Sequence, residues 1–335
     1  MKELNVCPST LQKGFKTYCP AATNALFDGK KISHILAFSL DDDNDDESDV
    51  VEGNISVSGV QEKLSAVIDN NSLRLTRQGE QGKYIIKPAP GYRLRFRQQM
   101  PANEHLTMQI ARQVYDINTA ENGIVFFSDH RPAYITKRFD VLSDNPKIAQ
   151  EDFASLTRKT AETDGENYKY SGSYEDIATV IKETVSAWQV EMEKLFKLII
   201  FNYLFSNGDA HLKNFSLQQT EDGDYVLTPA YDLMNTSIHT DDSDFALEKG
   251  LSENIEKSDI YERTGHPCKE DFVRFGKRIG LSENRINKII SPFEQESPLI
   301  AEFIDTSFLE DKQRRMYLQG YQTRLSRFRR KDDEL

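Results

Sequence analysis

The chain has 335 residues, 38% of them hydrophobic and 29% charged, with a formal net charge of −12. That length predicts two domains or lobes with room for sizeable cores, and no apolar run reaches the roughly 18–20 residues of a membrane-spanning helix. An acidic chain is a poor general DNA-coating protein, because counterion release needs a basic face. The three cysteines, Cys7, Cys19 and Cys268, form no C-x-x-C pair that would suggest a zinc ribbon or a disulfide framework. The opening MKELNVCPSTLQKG lacks an apolar signal core, so the expected compartment is the cytoplasm, with reduced thiols.

Residues 41–49 read DDDNDDESD, seven acids in nine positions. Charges this dense repel one another and predict a solvated, mobile loop. A calcium loop is disfavoured, since the glycine and distal glutamate of an EF-hand are missing. From about 54 to 137 the pattern is strand-like: 55–58, 64–68, 73–75, 84–87, 124–127 and 133–136 are short apolar or alternating runs between turn residues. One helix interrupts them, started by Pro101, with Leu106, Ile110 and Val114 at helical spacing. Beyond about 150 the pattern turns helical. Trp188, Met192, Leu195, Phe196, Ile199, Ile200 and Tyr203 fall on one face of a long helix that the sequence ends at Asn207-Gly208. In 312–331, Leu318, Tyr321, Leu325 and Phe328 interleave with Lys312, Arg314, Arg315, Arg324, Arg327, Arg329, Arg330 and Lys331. The simplest reading is an amphipathic packing helix with a basic outer face; the alternative is contact with nucleic acid or an acidic partner. The predicted fold class is therefore α+β and two-lobed: a strand-rich N-lobe over 1–137, a helical C-lobe over 138–335, and a cleft between them.

The chemistry concentrates in Asn207-Gly208-Asp209-Ala210-His211-Leu212-Lys213-Asn214, at the exit of the long helix. Asp209 and Asn214 are five apart, and Asp232 follows Asn214 by eighteen residues across a strand-like segment, 225–228. Protein kinases use this spacing: the aspartate orients or deprotonates the accepting hydroxyl, and the amide and the later aspartate hold a divalent metal. Magnesium prefers such hard oxygen donors together with phosphate oxygens. A nucleotide kinase also needs a strand-borne lysine and a loop over the phosphates. Lys87 tips the apolar run 84–87, and Glu104 in the following helix is either its partner or a solvent-facing residue. The segment Ser56-Val57-Ser58-Gly59-Val60-Gln61-Glu62-Lys63 lies between two strands and is not a Walker loop. Its small residues let backbone N–H groups approach phosphate, and Lys63 adds charge.

Taken together, S-V-S-G-V-Q-E-K-L (56–64), Y-I-I-K-P (84–88), N-E (103–104), K-R-F-D (137–140), Q-E-D-F (150–153), N-G-D-A-H-L-K-N-F-S (207–216) and A-Y-D-L (230–233) resemble the HipA family of serine/threonine kinases, the toxins of bacterial toxin–antitoxin modules. The chain is too short for the N-terminal subdomain of full-length HipA. It therefore resembles the compact HipT form of the three-component HipBST module, which is encoded with a DNA-binding HipB-type protein and a small HipS-type protein. The resemblance implies ATP and magnesium as cofactors and no membrane. It makes Asp209 the catalytic base, Asn214 and Asp232 the magnesium ligands, and Lys87 a contact to the ATP phosphates. It assigns the backbone of Lys137, Arg138 and Phe139 to adenine, Asp140 to ribose, and Ser58, Gly59, Val60, Gln61, Glu62 and Lys63 to the phosphate loop. His211, Lys213 and Tyr231 flank the nucleotide. Ser56, or alternatively Ser58, is the autophosphorylated serine, and a phosphate there would repel ATP.

The implied substrate is an aminoacyl-tRNA synthetase, tryptophanyl-tRNA synthetase before glutamyl-tRNA synthetase, with arrested translation and growth as the outcome. The segment 236–266 is the natural substrate-facing loop. Two other readings are a lipid-kinase-like phosphotransferase, because D-x-H-x-x-N occurs there too, and a non-enzymatic partner or repressor that keeps the fold.

Overall fold

In the computed structural model the described residues are 4–40, 62–91, 94–141 and 147–331. The acidic run 41–49, the strand expected at 55–58 and the phosphate-loop residues Ser56, Ser58, Gly59, Val60 and Gln61 lie outside them. Helix α1 (Pro20–Phe27) opens on Pro20, with Cys19 Sγ accepting from the Ala22 N–H as its cap. The next elements are strands β1 (Leu64–Asp69), β2 (Ser72–Leu75) and β3 (Tyr84–Lys87), then helix α2 (Met100–Gln113), then β4 (Asn122–Phe126) and β5 (Pro132–Lys137). These five strands form one antiparallel sheet in the order β2-β1-β3-β5-β4. The strands agree with the alternating runs of the sequence, and Val114 falls one residue beyond α2 as its C-cap.

The strand expected at 225–228 forms as part of a second sheet, whose other two strands were not expected. Strand β6 (Gln150–Asp152) pairs with β7 (Ser216–Gln219), and β7 pairs with β8 (Tyr225–Leu227). Strand β6, with three residues, is too short to show a period of two. The remaining helices are the single-turn α3 (Phe153–Leu156) and α4 (Ala161–Asp164), then α5 (Tyr174–Thr184), α6 (Trp188–Leu204), α7 (Asp259–Thr264), α8 (Lys269–Arg278), α9 (Glu283–Ile290), α10 (Pro298–Thr306) and α11 (Asp311–Arg329); α3 and α6 pack on the small sheet. Helix α6 ends at Leu204, not at Asn207-Gly208, because Ser206 takes a left-handed φ of 53° that breaks the helical run. Helix α11 packs as in the simpler reading, with Tyr321, Leu325 and Phe328 buried together with Tyr317; Leu318 of the expected stripe is only half-buried, and Arg324 of the expected outer face is buried against Asp244. Among the described residues no helix is long and apolar enough to cross a membrane. The three cysteines are buried and form no disulfide.

Helix α2 joins the two parts. It packs on β4 and β5 on one side and against α10 on another. Its residues from Met100 to Ala111 are all buried, although five of them are polar: Asn103, Glu104, His105, Thr107 and Gln109. Each has a partner, as burial demands. Gln109 donates to Asn122 at 2.9 Å, His105 Nε2 meets the Ser9 carbonyl at 2.7 Å, and Thr107 meets the Tyr317 hydroxyl at 2.8 Å. The other two partners belong to the cleft.

Candidate active site

Strand β3 is held between β1 and β5, and its last residue turns a long cation into the interior. Lys87 Nζ donates to Glu104 Oε1 at 2.7 Å and to Asp232 Oδ1, and lies 5.3 Å from the ring centroid of Tyr134. Glu104 is thus the partner of Lys87, not a solvent-facing residue. Burial works to lower the Lys87 pKa, but Asp232 and Glu104 outweigh it and hold the lysine above its ordinary value. Burial also pushes Glu104 up to about 7, with Lys87 opposing and the neighbouring Asp232 charge adding to the rise. For Asp232, burial is overcome by Lys87 and Lys63, and the carboxyl sits below its ordinary value.

The loop after α6 supplies the second half. Asn207 folds back, its N–H donating to the Asn202 carbonyl at 2.8 Å, and the Gly208 N–H donates to Thr236 Oγ1 at 2.9 Å. A Cβ at Gly208 would lie 2.3 Å from Cβ of Asp242, so only glycine fits there. Asp209 is almost wholly buried and accepts a hydrogen bond from the Tyr170 hydroxyl at 2.5 Å. Burial pushes its carboxyl up to about 6, against the pull of Tyr170 and Lys169. His211 Nε2 is 3.9 Å from Asp209 Oδ1, and burial, helped by Lys169, pushes the imidazole down to about 3. It is therefore neutral at physiological pH. Asn214 Nδ2 lies 3.4 Å from Asp232 Oδ2, and Asp232 itself adopts a left-handed φ of 55°. A non-glycine residue in that region carries strain, which persists where the surroundings fix the side chain. Here Lys87 and Asn214 grip it from opposite sides.

The segment 232–239 is braced by α2. Asn103 Nδ2 donates to the Asn235 carbonyl at 2.8 Å, and its Oδ1 accepts from the Asn235 N–H at 3.2 Å. Thr236 Oγ1 then donates to the Ser206 carbonyl at 3.0 Å, so helix α2, the Asp232 segment and the Asp209 loop form one connected frame.

At the far side, Phe139 and Tyr231 pack with ring centroids 5.8 Å apart, and the Tyr231 hydroxyl donates to the Lys213 carbonyl at 2.9 Å. The Lys137 N–H donates to the Glu121 carbonyl at 2.8 Å and the Arg138 N–H to the Lys83 carbonyl at 2.9 Å. Those two donors are spent within the protein, so of the backbone N–H groups expected to face adenine at 137–139, these two are already paired. Asp140 is paired with Arg138 through bonds of 2.9 and 2.5 Å. Glu62, Lys63 and Lys213 are exposed. A cleft of about 1040 Å³ opens beside Asp209, walled by Tyr170, Gly208 and much of 240–257 together with Arg324 and Arg327. The expected substrate-facing loop thus does border the candidate base.

The family described as HipA-like C-terminal domain matches residues 55–298. The chain belongs to that family. A Haemophilus influenzae protein named "Putative kinase" is 28% identical over 298 residues, covering 81% of each chain. The "Serine/threonine-protein kinase toxin HipA" of Shewanella oneidensis is 23% identical over 287 residues, 81% of this chain and 62% of that one. The solved HipA of the Shewanella oneidensis HipA, HipB and operator DNA complex superposes with a TM-score of 0.62 at 21% identity. That match covers 83% of this chain and 65% of the HipA chain, so the protein has the HipA-like kinase fold over less than two thirds of that relative's length.

Within this HipA-like fold the Asn214–Asp232 pair fits a divalent ion. Asn214 Oδ1 is buried and has no hydrogen-bond partner among the described residues, a state that costs free energy unless something binds it. With the Asp232 carboxylate it offers two hard oxygens of the kind magnesium takes. Three residues of the site were not singled out from the sequence: Tyr170, Asn103 and Thr236. Asn103 adjoins Glu104 in the N-E motif, which was the available signal. Tyr170 and Thr236 carry no spacing that would mark them.

Proposed function

We propose that this chain is an ATP- and magnesium-dependent serine/threonine protein kinase that acts as a toxin. It is a kinase by family, and the observation that carries the finer reading is the linked set of Lys87, Glu104, Asp232 and Asn214, with Asp209 near enough to feel the Asp232 charge. Lys87 would steady the ATP phosphates, with Glu104 fixing its direction. Asn214 and Asp232 would hold the ion, which when bound neutralises charge on the transferring phosphoryl group. Asp209 accepts the proton of the acceptor hydroxyl, and its position near pH 6 leaves it ionised at neutral pH yet basic enough for the task. Phe139 and Tyr231 give adenine an aromatic wall, and neutral His211 adds no charge beside the phosphates.

The acceptor is a protein side chain entering the cleft bounded by 240–257. We assign it to an aminoacyl-tRNA synthetase, tryptophanyl before glutamyl, with loss of charged tRNA and growth arrest as the result. The compact HipT form, a HipB-type DNA-binding partner, a HipS-type small antitoxin, action in the cytoplasm and autophosphorylation at Ser56 or Ser58 complete the reading. A lobe boundary near residue 137 belongs to it as well, since Lys137 ends β5. The test is incubation of the purified chain with labelled ATP, magnesium and cell lysate, followed by mass spectrometry. Labelled tryptophanyl-tRNA synthetase supports the assignment. Label confined to glutamyl-tRNA synthetase, another protein or lipid overturns it.

A further inference from the structure

Tyr170 closes a 3-10 turn, Tyr168–Tyr170, that lies against the cleft wall. The turn is built in. The Tyr170 carbonyl accepts from the Glu248 N–H at 3.0 Å, the Gly172 carbonyl accepts from the Lys249 N–H at 3.0 Å, and Lys159 donates to the Ser171 carbonyl at 2.7 Å. Its ring meets the His211 ring edge-on at 5.1 Å, and Lys169 Nζ lies 5.1 Å from its centroid. The phenol reaches Asp209 Oδ1 from thirty-nine residues away in sequence. The terminal torsion of an aspartate is broad and nearly two-fold, so nothing intrinsic to Asp209 sets how its carboxylate faces an incoming hydroxyl. The loop geometry places the residue; a donor on one oxygen is what sets the rotation.

We propose that Tyr170 is a positioning residue for phosphoryl transfer: its phenol pins Oδ1 of Asp209 and so fixes the carboxylate on which the acceptor hydroxyl docks. The inference rests on Asp209 being the base. It adds a second consequence, because a donor to the ionised carboxylate favours ionisation. Lys169 acts in the same direction, Asp242 and Asp232 act against it, and His211 is neutral. Removing the phenol hydroxyl therefore raises the pH at which Asp209 ionises, while Tyr170→Phe keeps the ring against His211.

The experiment uses the full chain with carbon-13 at the aspartate side-chain carboxyls. The resonance lost in Asp209→Asn is assigned to Asp209 and titrated in wild type and Tyr170→Phe, without added metal. ADP release at saturating ATP and magnesium is measured on the same three proteins at pH 6.5, with dephosphorylated casein as acceptor. The expected result is a midpoint raised by about one pH unit in Tyr170→Phe, the size of one lost charge-assisted hydrogen bond. A several-fold lower kcat with an unchanged KM for ATP accompanies it. A wild-type midpoint or a wild-type kcat in Tyr170→Phe, beside an inactive Asp209→Asn, overturns the positioning role alone. An Asp209→Asn protein as active as wild type, or a wild type without turnover, overturns the base reading instead.

Discussion

Asp209 is costly where it sits. Its carboxyl ionises near 6 in the fold and near about 3.9 in an unfolded chain, so the folded state holds the proton more tightly. The cost is absent below the unfolded value, grows as pH rises and is complete above the folded value, where it reaches about 3 kcal/mol. Asp209→Asn is therefore expected to be more stable than wild type at pH 8 by roughly that amount, about half of it at pH 5, and none at pH 3. Urea unfolding at the three pH values checks the sign; a destabilised variant at pH 8 would contradict it. Lys87 behaves oppositely. Lys87→Met leaves Glu104 and Asp232 buried without their cation, and urea unfolding at pH 8 is expected to show a loss of about 3–5 kcal/mol, partly restored by adding Glu104→Gln.

At the scale of elements, the brace from α2 to the Asp232 segment is the feature that periodicity could not reveal. Leu106 and Ile110 mark the helix, and the structure forms it as Met100–Gln113. What the spacing does not say is that the polar residues between them are buried too, because a helix covered on several sides has no solvent face to announce. The same holds for β6, whose three residues pair only once Ser216–Gln219 arrives from far along the chain. The motif residues were legible because phosphoryl transfer restricts which side chains can serve; the residues that hold them were not, since many pairs of donor and acceptor would do. Asn103→Ala tests the brace. It strips partners from both the N–H and the carbonyl of buried Asn235, at an expected cost of about 2–4 kcal/mol. Hydrogen exchange should show earlier opening of 232–239 than of β3; uniform loss of protection would refute a local role.

Across the whole molecule, the candidate site draws Lys87 and Glu104 from the sheet and α2 and Asn214 and Asp232 from the loops after α6 and β8, so a nucleotide held by these groups would touch both sets. Ligand that binds only the folded state stabilises it by mass action. ATP with magnesium at about a hundred times its dissociation constant is expected to raise Tm by about 4 °C for a chain of this size. Chelating the metal, or substituting Asp232→Asn, removes most of that shift, and a shift indifferent to both would exclude Asp232 as a metal ligand.

In the proposed reaction Asp209 takes the acceptor's proton in a cleft assembled from residues far apart in the chain. The most direct measurement is the initial rate of phosphate transfer from labelled ATP to protein, with magnesium, as a function of pH, in wild type and Asp209→Asn. The expected wild-type rate rises with pH through about 6, and the variant is expected to lose about 10²–10⁴-fold. A variant that transfers phosphate at the wild-type rate would contradict the assignment of Asp209 as the base.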